Sequence, residues 1–437
     1  MLYIYDKFCF IVCIFVIMER KKVLIITYYW PPSGGPGVQR WLKFAKYLPD
    51  CNIEPIIIAP HPDVAEYPIR DTSLLNDVSS DIEVHLTDNS SFYDTYKKFT
   101  KAKSAPYSGF ANDANPSFKQ KISRFFRGNF FLPDSRRGWN KFAYNKAAEL
   151  IKKYDIDTVI TTSPPHSTQL VGLKLKNRLG VKWIADMRDP WTDIYYYNNF
   201  YPTAIAKYID GNYEKSVLES ADYVVSVSEF IKRQFAAKSS RINPDKILVI
   251  PNGFDKSDFP TTSRKKDDIF TISYTGTLAA NYDISSFIEV LKNLEGDYRL
   301  QFVGKVDENV QRHIENEIGE HAIFKGFVPH SESINTLLSS DMLLLVIPVI
   351  KDNEGILTGK LFEYIGSGKP ILCLGPKHGD AANIITNAEA GITCNYGDTE
   401  DINNFINTVY KSRKLNNSDK KNLYSRVSLT KELSKYL

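Results

Sequence analysis

Short, continuous apolar runs recur along the chain, and amphipathic stretches separate them. In the N-terminal part the runs lie at residues 23–27, 55–59, 158–161, 182–186, 223–227 and 247–250. The pattern resumes at 270–274, 298–303, 342–347 and 370–374. Runs that are apolar throughout are typical of parallel strands covered on both faces by helices. The sequence therefore predicts an α/β fold with two doubly wound, Rossmann-like parallel sheets.

A charged stretch at residues 265–268 separates the two groups of predicted strands. We expect an N-terminal domain at 18–262, a C-terminal domain at 263–412 and a helical tail at 413–437. A chain of 437 residues is long enough for each domain to bury its own core. Open α/β sheets bind ligands at the carboxyl ends of their strands, so the predicted functional site is a cleft between the two domains.

The segment before the first predicted strand is apolar but short. Residues 8–18 would span only about 16 Å as a helix, about half of a bilayer core. Charged residues at 19–22 follow in place of a small-residue cleavage site, which argues against a signal peptide. Residues 1–17 are therefore interpreted either as lying upstream of a true start at Met18 or as an interfacial anchor.

Charge and cysteine content narrow the class of protein. The 55 Lys and Arg residues nearly balance the 51 Asp and Glu residues, and a formal charge of +4 is too small to indicate nucleic acid binding. The five cysteines show no CxxC or Cys/His ligand spacing. This pattern favours a reducing compartment.

A glycine-rich loop at residues 33–37 follows the first predicted strand and opens a predicted helix. Gly34, Gly35 and Gly37 would let the backbone approach a ligand that the free N–H groups of the helix start also face. A dinucleotide fingerprint fits poorly, because Arg40 stands where its third glycine would fall. The alternative is a tight turn without a ligand.

The most informative stretch is EGILTGKLFEYIGSGKPIL at residues 354–372. Thr358 is expected to cap a short helix on which Lys360 and Glu363 face the same space. A helix N-terminus and a lysine suit a diphosphate, and a carboxylate one turn further on can accept from the vicinal hydroxyls of a ribose. The alternative is an ion pair between the two side chains on the helix surface.

In its context this stretch resembles the donor motif of the retaining glycosyltransferases of family four, which adopt the two-domain GT-B fold. The match includes Glu363, Tyr364 and the sequence GKP at 368–370. Further similar strings occur in the family's order: the SGG loop, VSVSEF at 225–230, IPNGFD at 250–255, SYTGTL at 273–278, FVGK at 302–305 and FKGFVPHSE at 324–332. Each string is weak alone, but their number and order are specific.

The resemblance implies a site for a nucleotide-diphosphate sugar in the C-terminal domain, with Glu363 on the ribose and Lys360 on the diphosphate. Glu354 is an uncertain equivalent of the family's first glutamate, because eight residues rather than seven separate it from Glu363. Thr277 stands where many members have an arginine, so Lys360, with Lys305 as a second candidate, would supply the charge. The resemblance also implies donor contacts from Gly34, Gly35 and Gly37, from the backbone of Gly355, Ile356, Leu357 and Thr358, and from the backbone of Phe327 and Val328 at the base.

Two strand ends of the N-terminal domain carry further candidates. Arg188 stands where many family members have a histidine, and Asp189 follows it. A guanidinium stays protonated and cannot be a general base, but it can stabilise phosphate or orient Asp189. The alternative is a structural Arg/Asp pair that closes the turn before Pro190. His166 has the same strand-end placement and is interpreted either as facing the acceptor or as structural.

The segment at 97–137 carries ten Lys and Arg residues against two Asp residues, a net charge of +8, with aromatic residues between them. This composition suits an anionic membrane surface or a lipid-diphosphate acceptor, and Arg136 and Arg137 are candidate acceptor-binding residues. Nucleic acid is a rival partner for the same charge, but no nucleic-acid-binding motif accompanies it. The alternative is a solvated insertion whose aromatic residues pack on their own domain.

These observations predict a glycosyltransferase that moves a sugar from a nucleotide-diphosphate donor to a glycan or polyprenyl-diphosphate-linked acceptor in bacterial surface polysaccharide biosynthesis. Arg188, Asp189 and Lys360 are the candidate catalytic residues, and the resemblance implies retention of configuration. We expect a cytoplasmic protein on the inner face of the plasma membrane, with no cofactor and no metal, since no Asp-x-Asp at a strand end would hold a divalent ion. The alternatives are a nucleotide-sugar epimerase or hydrolase on the same fold and a non-catalytic glycan- or membrane-binding homologue.

Overall fold

The computed structural model describes residues 20–90, 117–260, 268–413 and 418–437. Three predicted features lie wholly or partly outside the described residues. They are the N-terminal extension at 1–17, the first part of the basic segment (97–116) and most of the linker (265–267).

Seven parallel strands form the sheet of the N-terminal lobe. They are β1 Lys21–Ile26, β2 Ile53–Pro60, β3 Glu83–Thr87, β4 Thr158–Ser163, β5 Lys182–Met187, β6 Tyr223–Ser226 and β7 Ile247–Val249. The strand order is β3-β2-β1-β4-β5-β6-β7, and in register Val23 pairs with Pro55 on one side and with Thr158 on the other. The order reverses between β1 and β4, which leaves a crevice at their carboxyl ends.

Helices cover both faces of this sheet. They are α1 Pro36–Tyr47, α2 Phe118–Phe130, α3 Asn140–Tyr154, α4 Ser167–Leu179, α5 Ala204–Ser220 and α6 Glu229–Ala237. Alternate residues of β1 enter two different cores: Ile25 packs with Trp41 of α1, whereas Leu24 packs with Ala143 of α3 and Val171 of α4. This two-sided burial explains why the strands are apolar throughout.

The second lobe is built around a six-stranded parallel sheet of order β10-β9-β8-β11-β12-β13. Its strands are β8 Phe270–Thr275, β9 Tyr298–Val303, β10 Ala322–Phe324, β11 Met342–Val346, β12 Ile371–Leu374 and β13 Gly391–Cys394. The α-helices described after the first sheet are α7 Ser285–Lys292, α8 Glu308–Ile318, α9 His330–Ser339, α10 Gly359–Ser367, α11 Asp380–Asn387, α12 Thr399–Ser412 and α13 Arg426–Ser434. The prediction of two doubly wound parallel sheets is confirmed.

The C-terminal tail returns to the first lobe, where Leu429 and Leu433 of α13 are buried in the core beside α1. The tail is also hydrogen-bonded to the segment that leads out of the first lobe. The N–H of Phe254 donates to the carbonyl of Tyr424 at 3.1 Å, and its carbonyl accepts from the N–H of Arg426 at 2.8 Å. The chain thus passes between the lobes twice, once after Phe254 (the first crossing) and once in the tail, and these two backbone hydrogen bonds hold the two crossings together.

A buried lysine joins α1 to the first crossing. The ammonium of Lys43 lies 2.9 Å from the carboxylates of both Asp77 and Asp255 and 3.4 Å from that of Asp258. Lys43 and Asp255 are buried. The position of α1, which carries the glycine-rich loop at its start, is thus fixed relative to the crossing.

Arg40, which interrupts the dinucleotide fingerprint, is a fully buried structural residue. Its guanidinium lies 3.0 Å from Asp186 at the end of β5 and donates to the carbonyls of Ile250 and Pro251 at 2.9 Å. Asp186 also accepts from the indole N–H of Trp41 at 2.7 Å. The ion pair is buried, and the other N–H groups of the guanidinium have carbonyl acceptors. This arrangement fixes α1, β5 and the first crossing relative to one another.

Candidate functional site

A cavity of about 470 Å³ lies between the lobes, at the carboxyl ends of β1, β4 and β5. Leu357 and Gly359 line it from the second lobe. The residues predicted from sequence that line this cavity are Gly34, Gly35, Gly37, Arg136, His166, Arg188, Asp189 and Leu357. The fold therefore brings candidates from well-separated parts of the sequence to one space.

The glycine-rich loop forms part of the first-lobe wall. The N–H of Gly34 donates to the carbonyl of Ile69 at 2.9 Å, and a Cβ on Gly34 would lie 2.9 Å from the Cγ2 atom of Ile69. Gly35 has a φ of +90°, which disfavours other residues. No side chain caps the start of α1. Pro36 has no N–H, and the N–H of Val38 donates to the carbonyl of Gly35 at 3.2 Å, so the N–H of Gly37 is the one in the first three positions of α1 that is left for a ligand.

Arg188 is directed at the backbone. Its guanidinium donates to the carbonyls of Ser163 at 3.0 Å, Gly37 at 2.9 Å and Pro164 at 3.3 Å. It forms no ion pair with Asp189, so the alternative of a structural Arg/Asp pair is wrong. Arg188 instead ties the start of α1 to the end of β4, and we therefore treat it as a positioning residue.

Asp189 lines the cavity, and its carboxylate has no hydrogen-bond or ion-pair partner among the described residues. Burial raises the pKa of Asp189, and the nearby Arg188 opposes that shift. A carboxylate in this position can accept a hydrogen bond from a sugar hydroxyl that enters the cavity.

His166 combines features of both interpretations. Its ring stacks on Trp191 with centroids 4.7 Å apart, and the indole N–H of Trp191 donates to Asp210 at 2.8 Å. Burial, with the positive charge of Arg188 acting in the same direction, lowers the pKa of His166 to about 3. The ring is therefore neutral at pH 7. Its Nδ1 atom is buried without a hydrogen-bond partner, while the residue lines the cavity.

Two arginines of the first lobe reach the cavity, and one of them was not among the predicted site residues. Arg127 of α2 and Arg136 both line it. Arg127 also lies over the ring of Phe200, 4.6 Å from its centroid. Arg137 is exposed, donates to the carbonyl of Leu132 and does not line the cavity. The structure thus separates the predicted pair Arg136 and Arg137.

The start of α10 forms the second-lobe side of the cleft, beside the crevice between β8 and β11. Thr358 occupies the N-cap position, but its hydroxyl makes no capping hydrogen bond and is buried without a partner. The predicted side-chain cap is therefore wrong. The N–H of Leu361 donates to the carbonyl of Thr358 at 3.2 Å, so the N–H groups of Gly359 and Lys360 at the start of α10 are left for an anion.

Lys360 and Glu363 contact different partners. The ammonium of Lys360 donates to the hydroxyl of Tyr274 at 2.7 Å, and Glu363 lies 3.1 Å from the Nε2 atom of His330. The two side chains form no ion pair with each other, so the alternative interpretation as a surface ion pair is wrong. Burial lowers the pKa of Lys360 to about 7, whereas the charge of Glu363 acts in the opposite direction.

The other predicted donor residues lie on loops at the same edge of the second sheet but do not line the cavity described above. Lys305 follows β9 and is exposed, and Phe327 follows β10 and is 94% exposed. Val328 and Ile356 are half-buried, and Glu354 is exposed.

Gly355 lies against the other lobe. A Cβ on Gly355 would be 2.4 Å from the Cδ1 atom of Phe230 in α6. The N–H of Phe230 in turn donates to the carboxylate of Asp380 at 3.0 Å. Glycine is therefore required at this position for the loop before α10 to pack on the first lobe.

Sequence reasoning assigned no role to Arg127, Tyr274 or His330. Tyr274 and His330 lie inside the strings SYTGTL and FKGFVPHSE, and Arg127 lies in the basic segment. These strings mark the neighbourhood, but the contacts to Lys360 and Glu363 depend on how the loops after β8 and β10 meet α10.

Within the described ranges, no group of three or more His, Cys, Asp or Glu residues is arranged to hold a metal ion. No helix in those ranges is both long enough and apolar enough to cross a bilayer.

Two protein families match the chain, one described as Glycosyltransferase Family 4 over residues 107–258 and one as Glycosyl transferases group 1 over residues 255–426. Together the two matches span well over half of the chain. No curated protein sequence matches it.

Solved structures are similar over nearly the whole chain. A sucrose-phosphate synthase from Thermosynechococcus elongatus is 13% identical, with a TM-score of 0.58 and coverage of 95% of this chain and 98% of that one. A glycosyltransferase from Rickettsia africae is 17% identical, with a TM-score of 0.58 and coverage of 96% and 98%. Anabaena HepE in complex with UDP-glucose is 12% identical, with a TM-score of 0.55 and coverage of 95% and 98%. These likenesses and the two parallel sheets confirm the predicted GT-B fold.

Proposed function

We propose that this chain, which belongs to the group 1 glycosyltransferases of family 4, transfers a sugar from a nucleotide-diphosphate donor to a glycan or lipid-linked acceptor. The observation that carries the donor assignment is the uncapped start of α10 beside Lys360, with Glu363 one turn further on. Backbone N–H groups and an ammonium complement a diphosphate, and a carboxylate complements the two hydroxyls of a ribose.

The donor is proposed to lie across the carboxyl ends of the second sheet. The diphosphate occupies the start of α10, and the ribose lies beside Glu363. The base meets the loop that carries Phe327 and Val328, with Lys305 nearby. The sugar extends past Leu357 into the cavity. The solved complex of Anabaena HepE with UDP-glucose supports a nucleotide sugar as the donor class for this fold.

The transfer is proposed to proceed with retention. The bond between the anomeric carbon and the diphosphate oxygen breaks, and the acceptor hydroxyl oxygen bonds to the same face of that carbon. The hydroxyl proton passes to the departing diphosphate. Lys360 and the N–H groups of α10 stabilise the charge that develops on the diphosphate, while Asp189 accepts from a sugar hydroxyl.

We propose that the transfer needs no metal. The cations and dipoles that a departing diphosphate requires are supplied by Lys360 and by the starts of α10 and α1. Activity in EDTA compared with activity in added magnesium tests this point directly.

The acceptor is proposed to be presented at an anionic membrane surface, as in surface polysaccharide biosynthesis, with the enzyme on the cytoplasmic face. Helix α2 supports this assignment. Its residues Phe118, Ile122, Phe126 and Phe130 recur every four positions, and they are 77%, 44%, 45% and 68% exposed. The helix also carries four Lys and Arg residues and no acidic residue. An exposed apolar stripe with basic flanks is typical of helices that lie in the interface of anionic bilayers.

A thermal-shift panel of UDP, GDP, ADP, CMP and their common sugar derivatives, each with and without magnesium, tests the donor assignment. One nucleotide diphosphate should stabilise the protein selectively and increasingly with concentration, as mass action requires. No response across the panel, from a folded protein, would overturn the assignment. Consumption of the preferred nucleotide sugar at the same rate with and without acceptor would favour an epimerase or hydrolase.

A further inference from the structure

Arg127 and Arg136 each bring a guanidinium group to the wall of the cavity. Neither side chain forms an ion pair with any described carboxylate. The side chain of Arg127 makes no hydrogen bond within the described chain, and its guanidinium lies 4.6 Å from the centroid of the Phe200 ring as a cation–π pair. Burial, reinforced by the charge of Arg136, lowers the pKa of Arg127. The guanidinium nevertheless stays protonated, so Arg127 presents a positive charge to the cavity.

Arg136 carries a buried donor that lacks an acceptor. Its guanidinium donates to the hydroxyl of Ser135 at 2.9 Å, and its Nε atom is buried without a partner. The neighbouring carboxylate of Asp134 is committed elsewhere, because it accepts from the backbone N–H of Arg136 and from the N–H and hydroxyl of Ser167. A buried donor on a charged group that lacks an acceptor is costly, which indicates that a ligand supplies one.

The chemistry of the missing acceptor follows from the two side chains. Guanidinium groups bind phosphate oxygens through paired hydrogen bonds. The charged side chains assigned to the donor, Lys360 and Glu363, belong to the second lobe, and the start of α1 is the one first-lobe element assigned to its diphosphate. With the donor diphosphate placed at Lys360, a phosphate at Arg127 and Arg136 belongs to the other substrate.

We propose that Arg127 and Arg136 bind the phosphate or diphosphate group of the acceptor and so hold its hydroxyl at the donor sugar. The proposal rests on the proposed function, because it assigns the first-lobe wall to the second substrate of the transfer. A lipid-linked diphosphate and a soluble phosphorylated sugar share this chemistry, and they are separated by experiment.

Isothermal titration of the full chain, first saturated with the nucleotide that the thermal-shift panel selects so that the donor site is occupied, tests the proposal; UDP stands for that nucleotide in the experiments that follow. The probes are inorganic pyrophosphate, farnesyl diphosphate and glucose 6-phosphate. At least one phosphate-bearing probe should bind alongside UDP. Arg127→Gln and Arg136→Gln should each weaken that binding at least tenfold while the affinity for UDP is unchanged. Arg178→Gln, an equivalent change at an exposed arginine of α4 outside the cavity, should leave both affinities unchanged.

Binding of every probe only in competition with UDP, or binding to both variants at the wild-type affinity, would overturn the proposal. Retained UDP binding shows that a variant is folded, and the two single variants provide independent readouts. Farnesyl diphosphate binding at least tenfold tighter than pyrophosphate assigns the site to a lipid-linked acceptor. Glucose 6-phosphate binding as tightly as farnesyl diphosphate assigns it to a soluble one. If the wild type bound no nucleotide but still bound pyrophosphate, and the two arginine variants did not, the donor assignment would be refuted and the phosphate site at Arg127 and Arg136 would be confirmed.

Discussion

The ammonium of Lys360 lies 2.7 Å from the hydroxyl of Tyr274 and 3.9 Å from the centroid of that ring. The same hydroxyl donates to the carbonyl of Thr277 at 2.7 Å, so its lone pairs face the lysine. Tyr274 therefore positions the ammonium of Lys360 at the end of β8 but supplies no negative charge. Since burial lowers the pKa of Lys360 to about 7, its charge near neutral pH depends on the arrival of an anion.

Donor binding should therefore weaken as the pH rises above 7. A diphosphate beside Lys360 favours the ammonium and raises its pKa, so the free protein must take up a proton on binding once the pH exceeds about 7. Between pH 7.5 and 8.5 the Kd for UDP should increase about five- to tenfold. Calorimetry at pH 8 in two buffers of different ionisation enthalpy should detect the uptake of nearly one proton.

Lys360→Arg provides the matched control for this pH dependence. A guanidinium stays charged over the whole range, so the Kd of this variant should be flat between pH 7.5 and 8.5. A wild-type Kd that does not change with pH would show that Lys360 does not contact the diphosphate.

Glu363→Ala should weaken UDP binding by about 1 to 3 kcal/mol, because charge-assisted hydrogen bonds to the ribose are lost. The sharper comparison uses 2′-deoxyuridine diphosphate, which lacks one of the two hydroxyls. The wild type should prefer UDP to the deoxy compound, and the variant should bind both with similar affinity. Titration of both ligands against both proteins measures this difference, and a variant that keeps the full preference would place the ribose elsewhere.

The Nε2 atom of His330 lies within hydrogen-bond distance of the Glu363 carboxylate, the group that is proposed to bind the ribose. The hydrogen bond to Glu363 raises the pKa of His330, so the imidazolium competes with a ribose for the carboxylate at lower pH. His330→Gln keeps a neutral donor at this position and provides a control that leaves Glu363 in place. It should bind UDP at least as tightly as the wild type at pH 6, since the competing charge is absent.

Much of the fold could be predicted because its strands are buried on both faces, and each of the ten predicted runs coincides with a strand. The three strands that were not predicted, β3, β10 and β13, are short and lie at the sheet edges, where half-buried residues interrupt the apolar pattern. The position of the site could be predicted for a similar reason, since the strand ends of a parallel sheet meet at one edge.

Side-chain partners could not be predicted in the same way. Residue type suggested a phosphate ligand or an Asp189 partner for Arg188, yet three backbone carbonyls accept its hydrogen bonds. Spacing on α10 suggested a pair of Lys360 with Glu363, whereas Tyr274 and His330 from other strand-end loops are the observed partners. Such contacts depend on the approach of segments far apart in sequence, which periodicity does not encode.

Asp255→Asn should destabilise the protein by about 3 kcal/mol, because it leaves the buried ammonium of Lys43 with only two half-exposed carboxylate partners. Burial alone would raise the pKa of Asp255, but hydrogen bonds from Tyr47 and Lys43 outweigh it and hold the pKa well below its ordinary value. The stabilisation is therefore present above about pH 4 and is lost as the pH falls through the folded-state pKa.

Thermal or denaturant unfolding at pH 7 measures the Asp255→Asn effect, and Asp245→Asn at an exposed turn is the matched control. The difference between Asp255→Asn and the wild type should shrink as the pH is lowered toward 3. A difference that stays constant with pH would mean that packing, rather than the ion pair with Lys43, explains the loss.

The exposed stripe of α2 should bind anionic bilayers. Replacing Phe118 and Phe130 together with serine should weaken co-flotation with phosphatidylglycerol vesicles at least tenfold, because two exposed aromatic rings no longer enter the interface. Replacing Lys119 and Lys121 with glutamine should weaken vesicle binding by about 2 kcal/mol, or about thirtyfold, at low salt and much less at high salt.

Leu75→Ser, at an exposed apolar position outside α2, is the control and should bind vesicles like the wild type. All variants should keep the wild-type affinity for UDP. If the wild type bound phosphatidylcholine and phosphatidylglycerol vesicles equally, an electrostatic contribution would be excluded. The serine variant should also be tested in a protein that starts at Met18. If that protein bound vesicles as well as the wild type does, α2 would be excluded as the helix that docks on the membrane.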